Sequence, residues 1–174
     1  MPAISVRMAH VDVDFEVARA LCREWLDWHW KAFPEDGPRE GNPMDPRVFQ
    51  SVMDELPQIH ARPSGGILLA EVDGLPAGCV MYHEMEPDVA EIKRLFVNEA
   101  GRGHGIGRLL LERMFEAMIA DGYRTVRFSS AKFLSHARRL YESAGFLDIP
   151  HPQGFPDHLR SFVYFMERPL ISED

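Results

Sequence analysis

The chain has 174 residues, a net charge of -8, and 45% hydrophobic against 26% charged residues, which suits one globular domain with room for a substantial core. The acidic balance argues against general nucleic-acid binding, and no run approaches the ~18 uninterrupted apolar residues of a membrane span. The first residues, MPAISVRMAHVDVD, lack a basic segment followed by an apolar one, and Cys22 and Cys79 lie in apolar contexts without metal-ligand spacing, so a cytoplasmic protein with two buried thiols is expected.

In chain order, Ala3 to Met8 alternates as a short strand. Asp12 or Asp14 is placed to cap a long helix through about Phe33, with Phe15, Ala18, Leu21, Cys22, Trp25 and Trp28/His29 on one face. Pro34 to Pro46 is a loop rich in Pro, Gly and charge. Asp45-Pro46 then opens a second helix that is expected to stop at Leu56, before Pro57. Beyond Pro63-Ser64-Gly65-Gly66 the period changes to that of strands: Ile67 to Val72, a hairpin connection over Asp73 to Gly78, Cys79 to Met85, and Val89 to Val97.

A helix from Ile106 to Ala120 and a strand from Thr125 to Ser130 follow, making a βαβ crossover that requires two parallel strands. A helix from Ser135 to Ser143, a short extended Phe146 to Ile149, a loop from His151 to Arg160 and a strand from Ser161 to Glu167 complete the chain. The expected fold is a single mixed α/β (α+β) domain over 1–174. Its centre is a twisted, mostly antiparallel sheet with one parallel βαβ crossover, flanked by helices.

Chemistry gathers at Arg102-Gly103-His104-Gly105-Ile106-Gly107, between a strand and a helix. A helix start offers unpaired N–H groups and the positive end of its dipole, and glycines let a phosphate come close to the backbone. Between Glu91 and Arg139 there are ten Lys/Arg and five Asp/Glu, a local positive balance that suits an anionic ligand. A Walker-type loop is rejected, because Gly107 is followed by Arg108-Leu109 rather than Lys-Ser/Thr. A dinucleotide fold fits poorly as well, since the glycines are spaced Gly103-x-Gly105-x-Gly107 and the next strand ends in Ser129-Ser130.

Arg102-x-x-Gly105-x-Gly107, preceded by EIKRLFV and followed by GRLLLERMFEAMIADGY, ARRLYESAGF and VYFMERPL, resembles the pyrophosphate loop and surroundings of the GNAT (GCN5-related) acetyltransferases over about residues 67–170. The resemblance implies acetyl-CoA as co-substrate. The pantetheine arm would lie against the backbone of Leu95, Phe96 and Val97. The pyrophosphate would sit on the amides of Arg102, Gly103, His104, Gly105, Ile106, Gly107 and Arg108, with Arg102 and Arg108 able to add charge-assisted bonds. Tyr141 matches the family's general acid for the departing thiolate; a phenol with an ordinary pKa near 10, above a thiol near 8.5, carries its proton at neutral pH. Many relatives have Asn where this chain has Leu134-Ser135, so one contact to the coenzyme arm is lost or passes to Ser135.

Acetylation needs an uncharged amine, and Glu91 is the first candidate for the base, with Glu84, Glu86 and His83 as alternatives. The remaining histidines show no metal spacing, and no metal is expected. The acceptor pocket implied by the family involves Trp25, Trp28, Trp30, Phe33, Glu35, Asp36, Glu40 and the loop from His151 to His158. Residues 1–90 carry 16 acidic and seven basic residues, which favours a small, cationic primary amine such as an amino acid or a polyamine. An acyl-CoA-binding sensor without activity, a peptide or protein N-acetyltransferase, and a donor other than acetyl stay open. Homodimers are common in the family, and no stretch here fixes an interface. Nucleic acid and membrane are not expected partners.

Overall fold

A computed structural model describes residues 1–39, 42 and 45–172. The chain runs β1 (Ile4–Met8), α1 (Asp12–Ala32), α2 (Pro46–Asp54), α3 (Leu56–Ile59), β2 (Gly66–Val72), β3 (Leu75–Glu86), β4 (Val89–Val97), α4 (Ile106–Ala120), β5 (Thr125–Ala131), α5 (Ser135–Ser143), β6 (Leu147–Ile149) and β7 (Val163–Pro169), with 3-10 turns at Glu99–Gly101 and Asp157–Leu159. The strands form one seven-stranded sheet in the order β1-β2-β3-β4-β5-β7-β6. Every neighbouring pair is antiparallel except β4 and β5, which α4 joins as the expected crossover.

Alternation along the strands feeds two cores, one on each face of the sheet. Leu68, Ala70, Val80, Tyr82, Ala90 and Ile92 face α4, whose Ile106, Leu110, Leu111, Met114 and Met118 are buried at helical spacing. Ile67, Leu69, Cys79, Met81 and Phe96 face the other way, against Ala18, Leu21 and Cys22 of α1 and Phe49, Met53 and Leu56 of α2 and α3. Cys22 and Cys79 are free and buried, as the apolar contexts suggested.

The parallel pair is short. Val89, Ala90 and Glu91 pair with Thr125, Val126 and Arg127, and the pairing stops there. Yet β4 stays bonded to β3 as far as Val97↔Gly78, and β5 stays bonded to β7 as far as Ala131↔Val163. The two strands therefore separate as a wedge whose inner backbone groups face no strand. The irregularity in β4 lies just beyond the branch point: the register with β3 shifts between Met81 and Cys79, and Arg94 adopts φ 53. Such a bulge bends its strand and increases the local twist.

Several boundaries differ from expectation for local physical reasons. The N-cap of α1 is Val11, one residue before Asp12. Asp14 acts from inside the helix, accepting the amides of His10 at 3.0 Å and Val11 at 3.3 Å and pairing with Arg7. Burial opposes its charge, but those donors prevail and hold the carboxyl below the ordinary range. Pro57 does not stop the second helical segment; the break falls at Glu55, and Pro57 occupies the first turn of α3, where its missing N–H costs nothing. The β2–β3 hairpin turns on Asp73 and Gly74 alone, so β3 begins at Leu75 and not at Cys79. The last strand starts at Val163 and runs through Pro169, at the end of its ladder.

Replacing Asp14 by Ala is expected to destabilise the fold by about 2–4 kcal/mol, since it removes a cap and the buried half of an ion pair. Glu16→Ala, at an exposed carboxylate, is expected to stay within about 0.5 kcal/mol. Urea unfolding of the two variants checks the contrast.

Candidate functional site

The wedge opens onto a cavity of about 830 Å³. One wall is Leu95, Phe96 and Val97 of β4; the floor is Arg102, Gly103 and Gly107; α5 and the segment before it supply Phe133, Leu134, Ser135, His136, Ala137 and Leu140. Trp25, Trp28 and Ala32, one face of α1, close the far end. Polar backbone at one end and an indole-lined recess at the other give a cavity with two chemically distinct halves.

The turn before α4 has the backbone features that an anion site needs. Gly103 and Gly105 have φ 78 and φ 71, a left-handed conformation costly for side chains with a Cβ. Gly105 is the N-cap of α4 and offers no side-chain oxygen to the first turn. The amides from Gly103 to Arg108 accordingly find no acceptor among the described residues; the first helical bond to this turn is Leu109 N–H to the Gly105 carbonyl, 3.1 Å. A Cβ on Gly107 would stand 3.0 Å from Leu140 Cδ2, so a larger residue there would press on the end of that side chain where turn and α5 approach.

The expected site residues divide. Leu95, Phe96, Val97, Arg102, Gly103 and Gly107 line the cavity. Ile106 is buried in the α4 core and His104 is exposed, so these two, like Gly105, offer the site backbone only. Arg108 turns to the other side of α5, where its Nη2 donates to Ser143 Oγ at 2.8 Å and its side chain borders a smaller hollow of about 260 Å³. Tyr141 is 5% exposed and stands behind the cavity wall, its ring stacked on Phe128 with centroids 3.8 Å apart. Burial pushes its hydroxyl well above the ordinary phenol value, with Tyr164 adding to the shift.

Glu91 sits at the branch point of the wedge. Its carboxylate takes Lys93 Nζ at 2.5 Å and lies 3.4 Å from His83 Nε2. Burial would raise its pKa, but the His83 hydrogen bond and the Lys93 charge outweigh burial and bring it to about 2. Of the alternatives, Glu86 is committed to Arg127 at 3.1 Å, and Glu84 is exposed. His151 is held at the Val163 carbonyl, 2.7 Å, and against Phe155. Trp30 and Phe33 lie under the guanidinium of Arg39, at 5.5 and 5.4 Å. Glu35 and Asp36 are exposed or nearly so, and Glu40 lies outside the described residues. No group of three or more His, Cys, Asp or Glu among the described residues is arranged to hold a metal, and no helix among them is long and apolar enough to cross a membrane.

Two features carry no sequence signal strong enough to be singled out. Ala137 and Leu140 line the cavity as successive positions of one α5 face, which helical spacing alone predicts once the wedge is known. His60, at the end of α3, is buried and accepts no solvent. Its Nδ1 bonds the Tyr82 carbonyl at 2.7 Å, and its Nε2 lies 3.5 Å from Arg94 Nη1.

The family model for the GNAT acetyltransferases matches residues 22–146. Among curated relatives, an uncharacterised N-acetyltransferase of Schizosaccharomyces pombe is 37% identical over 104 residues, covering 57% of this chain and 64% of the relative. The IAA acetyltransferase of Azospirillum brasilense is 34% identical over 115 residues, 65% of this chain and 73% of the relative. The chain thus aligns with somewhat under two thirds of the fission-yeast protein's length. A Salmonella typhimurium structure determined with its cofactor acetyl-CoA has the same fold, with TM-score 0.64, 18% identity, and coverage of 99% of this chain and 96% of that one.

His60 generates a pH prediction. Burial, only partly offset by the bond to the Tyr82 carbonyl, lowers its pKa from 6.5 to about 4. The unfolded chain therefore takes up this proton first on acidification. Stability contributed by the neutral ring is full above about pH 6.5 and is lost as pH falls toward 4, by an amount on the order of 2–3 kcal/mol. Melting temperatures measured between pH 7.5 and 4.5 should fall in the native protein and fall less in His60→Gln.

Proposed function

Because the chain belongs to the GNAT acetyltransferase family, we propose that it is an acetyl-CoA-dependent N-acetyltransferase, acting as one catalytic domain on the amino group of a small molecule. The observation that carries this reading is the convergence of unpaired backbone on one cavity: the open edge of β4 at Leu95–Val97 and the free amides from Gly103 to Arg108. Bound there, acetyl-CoA supplies an activated acyl group as a thioester.

The residues around the cavity divide the remaining work. The free amides and the α4 dipole hold the pyrophosphate, and Arg102 adds a mobile positive charge. The inner edge of β4 bonds the amide-bearing arm as a strand would, drawing the thioester toward the branch point near Glu91. The acceptor enters from the α1 side, past Trp25 and Trp28. Its nitrogen forms the new C–N bond as the C–S bond breaks; one proton leaves the nitrogen and one arrives at the sulfur. A carboxylate with a pKa of about 2 is a poor final proton sink, which favours Glu91 as the anchor of a relay through water and His83 rather than as a direct base. Tyr141 acts on the sulfur side. With its pKa raised by burial it stays protonated at working pH, and it stabilises the departing thiolate as a hydrogen-bond donor. A small-molecule acceptor accords with the relatives named IAA acetyltransferase and N-acetylaspartate synthetase.

The retreat of Tyr141 behind the cavity wall also favours a second reading, in which the chain binds acyl-CoA without turning it over. Coenzyme-release assays over amines, amino acids and peptides separate the two. Turnover is expected, and Tyr141→Phe is expected to lower kcat roughly 100-fold with little change in KM for acetyl-CoA. An unchanged rate would remove the role of Tyr141, and coenzyme A binding without turnover across the panel would favour the sensor. Glu91→Gln is expected to lower kcat/KM for the acceptor most strongly at low pH, where fewer amines are already uncharged.

A further inference from the structure

Arg94 is an oddity of β4. It holds the positive φ of the bulge, directly before the three residues that line the cavity. Its side chain goes to the α1–α3 face, where it meets His60 at the end of α3. Cys22 of α1 and Cys79 of β3 are its other near neighbours. None of its nitrogens lies within ion-pair distance of a carboxylate among the described residues, and its one side-chain contact is Nη1 to His60 Nε2 at 3.5 Å.

That contact does not neutralise it. His60 Nδ1 sits 2.7 Å from the Tyr82 carbonyl and must carry the proton, so Nε2 presents a lone pair to Arg94 and the ring is uncharged. Nearby, Lys93 and Glu91 satisfy each other at 2.5 Å, with His83 at 3.4 Å from the same carboxylate. Its ring lies 6.0 Å from that of His60. The polar chain Lys93–Glu91–His83–His60–Arg94 thus ends in a guanidinium with most of its five N–H donors unused and a full charge withdrawn from water. Burial alone makes the charged form costly there. A partly buried cation without a counter-charge is a net liability to the fold. It becomes an asset when an anion arrives, and a planar guanidinium matches a carboxylate through two parallel bonds.

We infer that Arg94 receives a carboxylate of the acceptor, so that this chain acetylates amines that also carry a carboxylate, amino acids above all. The inference rests on the acetyl-transfer reading of the cavity. It also narrows the expectation drawn from the acidic composition of residues 1–90: the cation without a carboxylate partner among the described residues stands on β4, next in sequence to the residues that line the cavity. Glu91 at the branch point and Arg94 at the bulge lie three residues apart on β4, and their side chains meet His83 and His60, whose rings are neighbours.

The test uses the full chain with acetyl-CoA and the protein amino acids plus β-alanine, each against its decarboxylated amine. The expected result is a preference in kcat/KM of at least about 30-fold for the carboxylated member of the best pair. Arg94→Met should abolish that preference through KM while leaving kcat/KM for the decarboxylated amine within about threefold, and Arg94→Lys should fall between. Calorimetric titration of the same pairs into protein saturated with coenzyme A reads the carboxylate requirement without turnover. If no amine is acetylated but binding still depends on Arg94 and the carboxylate, only the activity is overturned. The inference itself is overturned if amines lacking the carboxylate react or bind equally well, or if Arg94→Met leaves the preference intact. It is overturned too if Arg94→Met lowers the melting temperature by more than about 5 °C, because a structural cation, and not an unpaired one, would then be indicated.

Discussion

Everything in this protein that bears on chemistry depends on one broken ladder. β4 and β5 are held together for three residue pairs and then part, each staying bonded to its outer neighbour. Buried backbone groups without partners are costly, so a sheet that opens in its middle stands only if something else meets its inner edges. The wedge opens those edges to the cavity, where water or a ligand with amide groups of its own can meet them. The free amides of the turn before α4 are placed to meet an anion at one end of the proposed ligand. The bulge at Arg94 lies just past the branch point, and beyond it Leu95 and Phe96 face opposite sides of the sheet, as strand alternation requires.

Much of this was readable from the residues alone. Gly103-x-Gly105-x-Gly107 between a strand and an amphipathic helix pointed to a glycine turn with free N–H groups at a helix start, and that turn is present. The βαβ crossover followed from element order, and the α4 core face from its helical period. What could not be read are features that arise when distant segments meet. Asp14 looked like an N-cap and is a buried third residue of α1, since its partners Arg7 and His10 lie before the helix. Pro57 looked like a stop and is a start, because a proline suits a first turn as well as it ends a last one. Tyr141 and Phe128 stack only because α5 packs on β5, and no spacing within ESAGF reveals that.

The two halves of the cavity obey different electrostatics. At the turn, the charge offered to a ligand comes from the backbone and needs little from side chains, which is why Ile106 can belong to the core while its amide serves the site. On the α1 side, charge is held by side chains: His83 and Lys93 hold Glu91 low against its burial, and burial keeps His60 neutral. Composition misleads there: the net acidity of the first half of the chain is spread over solvent-facing positions, whereas the few charges near the branch point are arranged one by one. On the proposed reading, donor recognition is a property of the fold, and acceptor recognition is a property of individual residues in β3, β4 and α3.

The central claim is that one ligand bridges the open edge of β4 and the free amides of the glycine turn. Titrating coenzyme A into the 15N-labelled chain and following backbone amide shifts tests it directly. The account predicts that the amides of Leu95 to Val97 and those of Gly103 to Arg108 move together, along one binding isotherm, while the β1 edge of the sheet stays still. Shifts confined to other surfaces, or a turn whose amides do not respond, would contradict it.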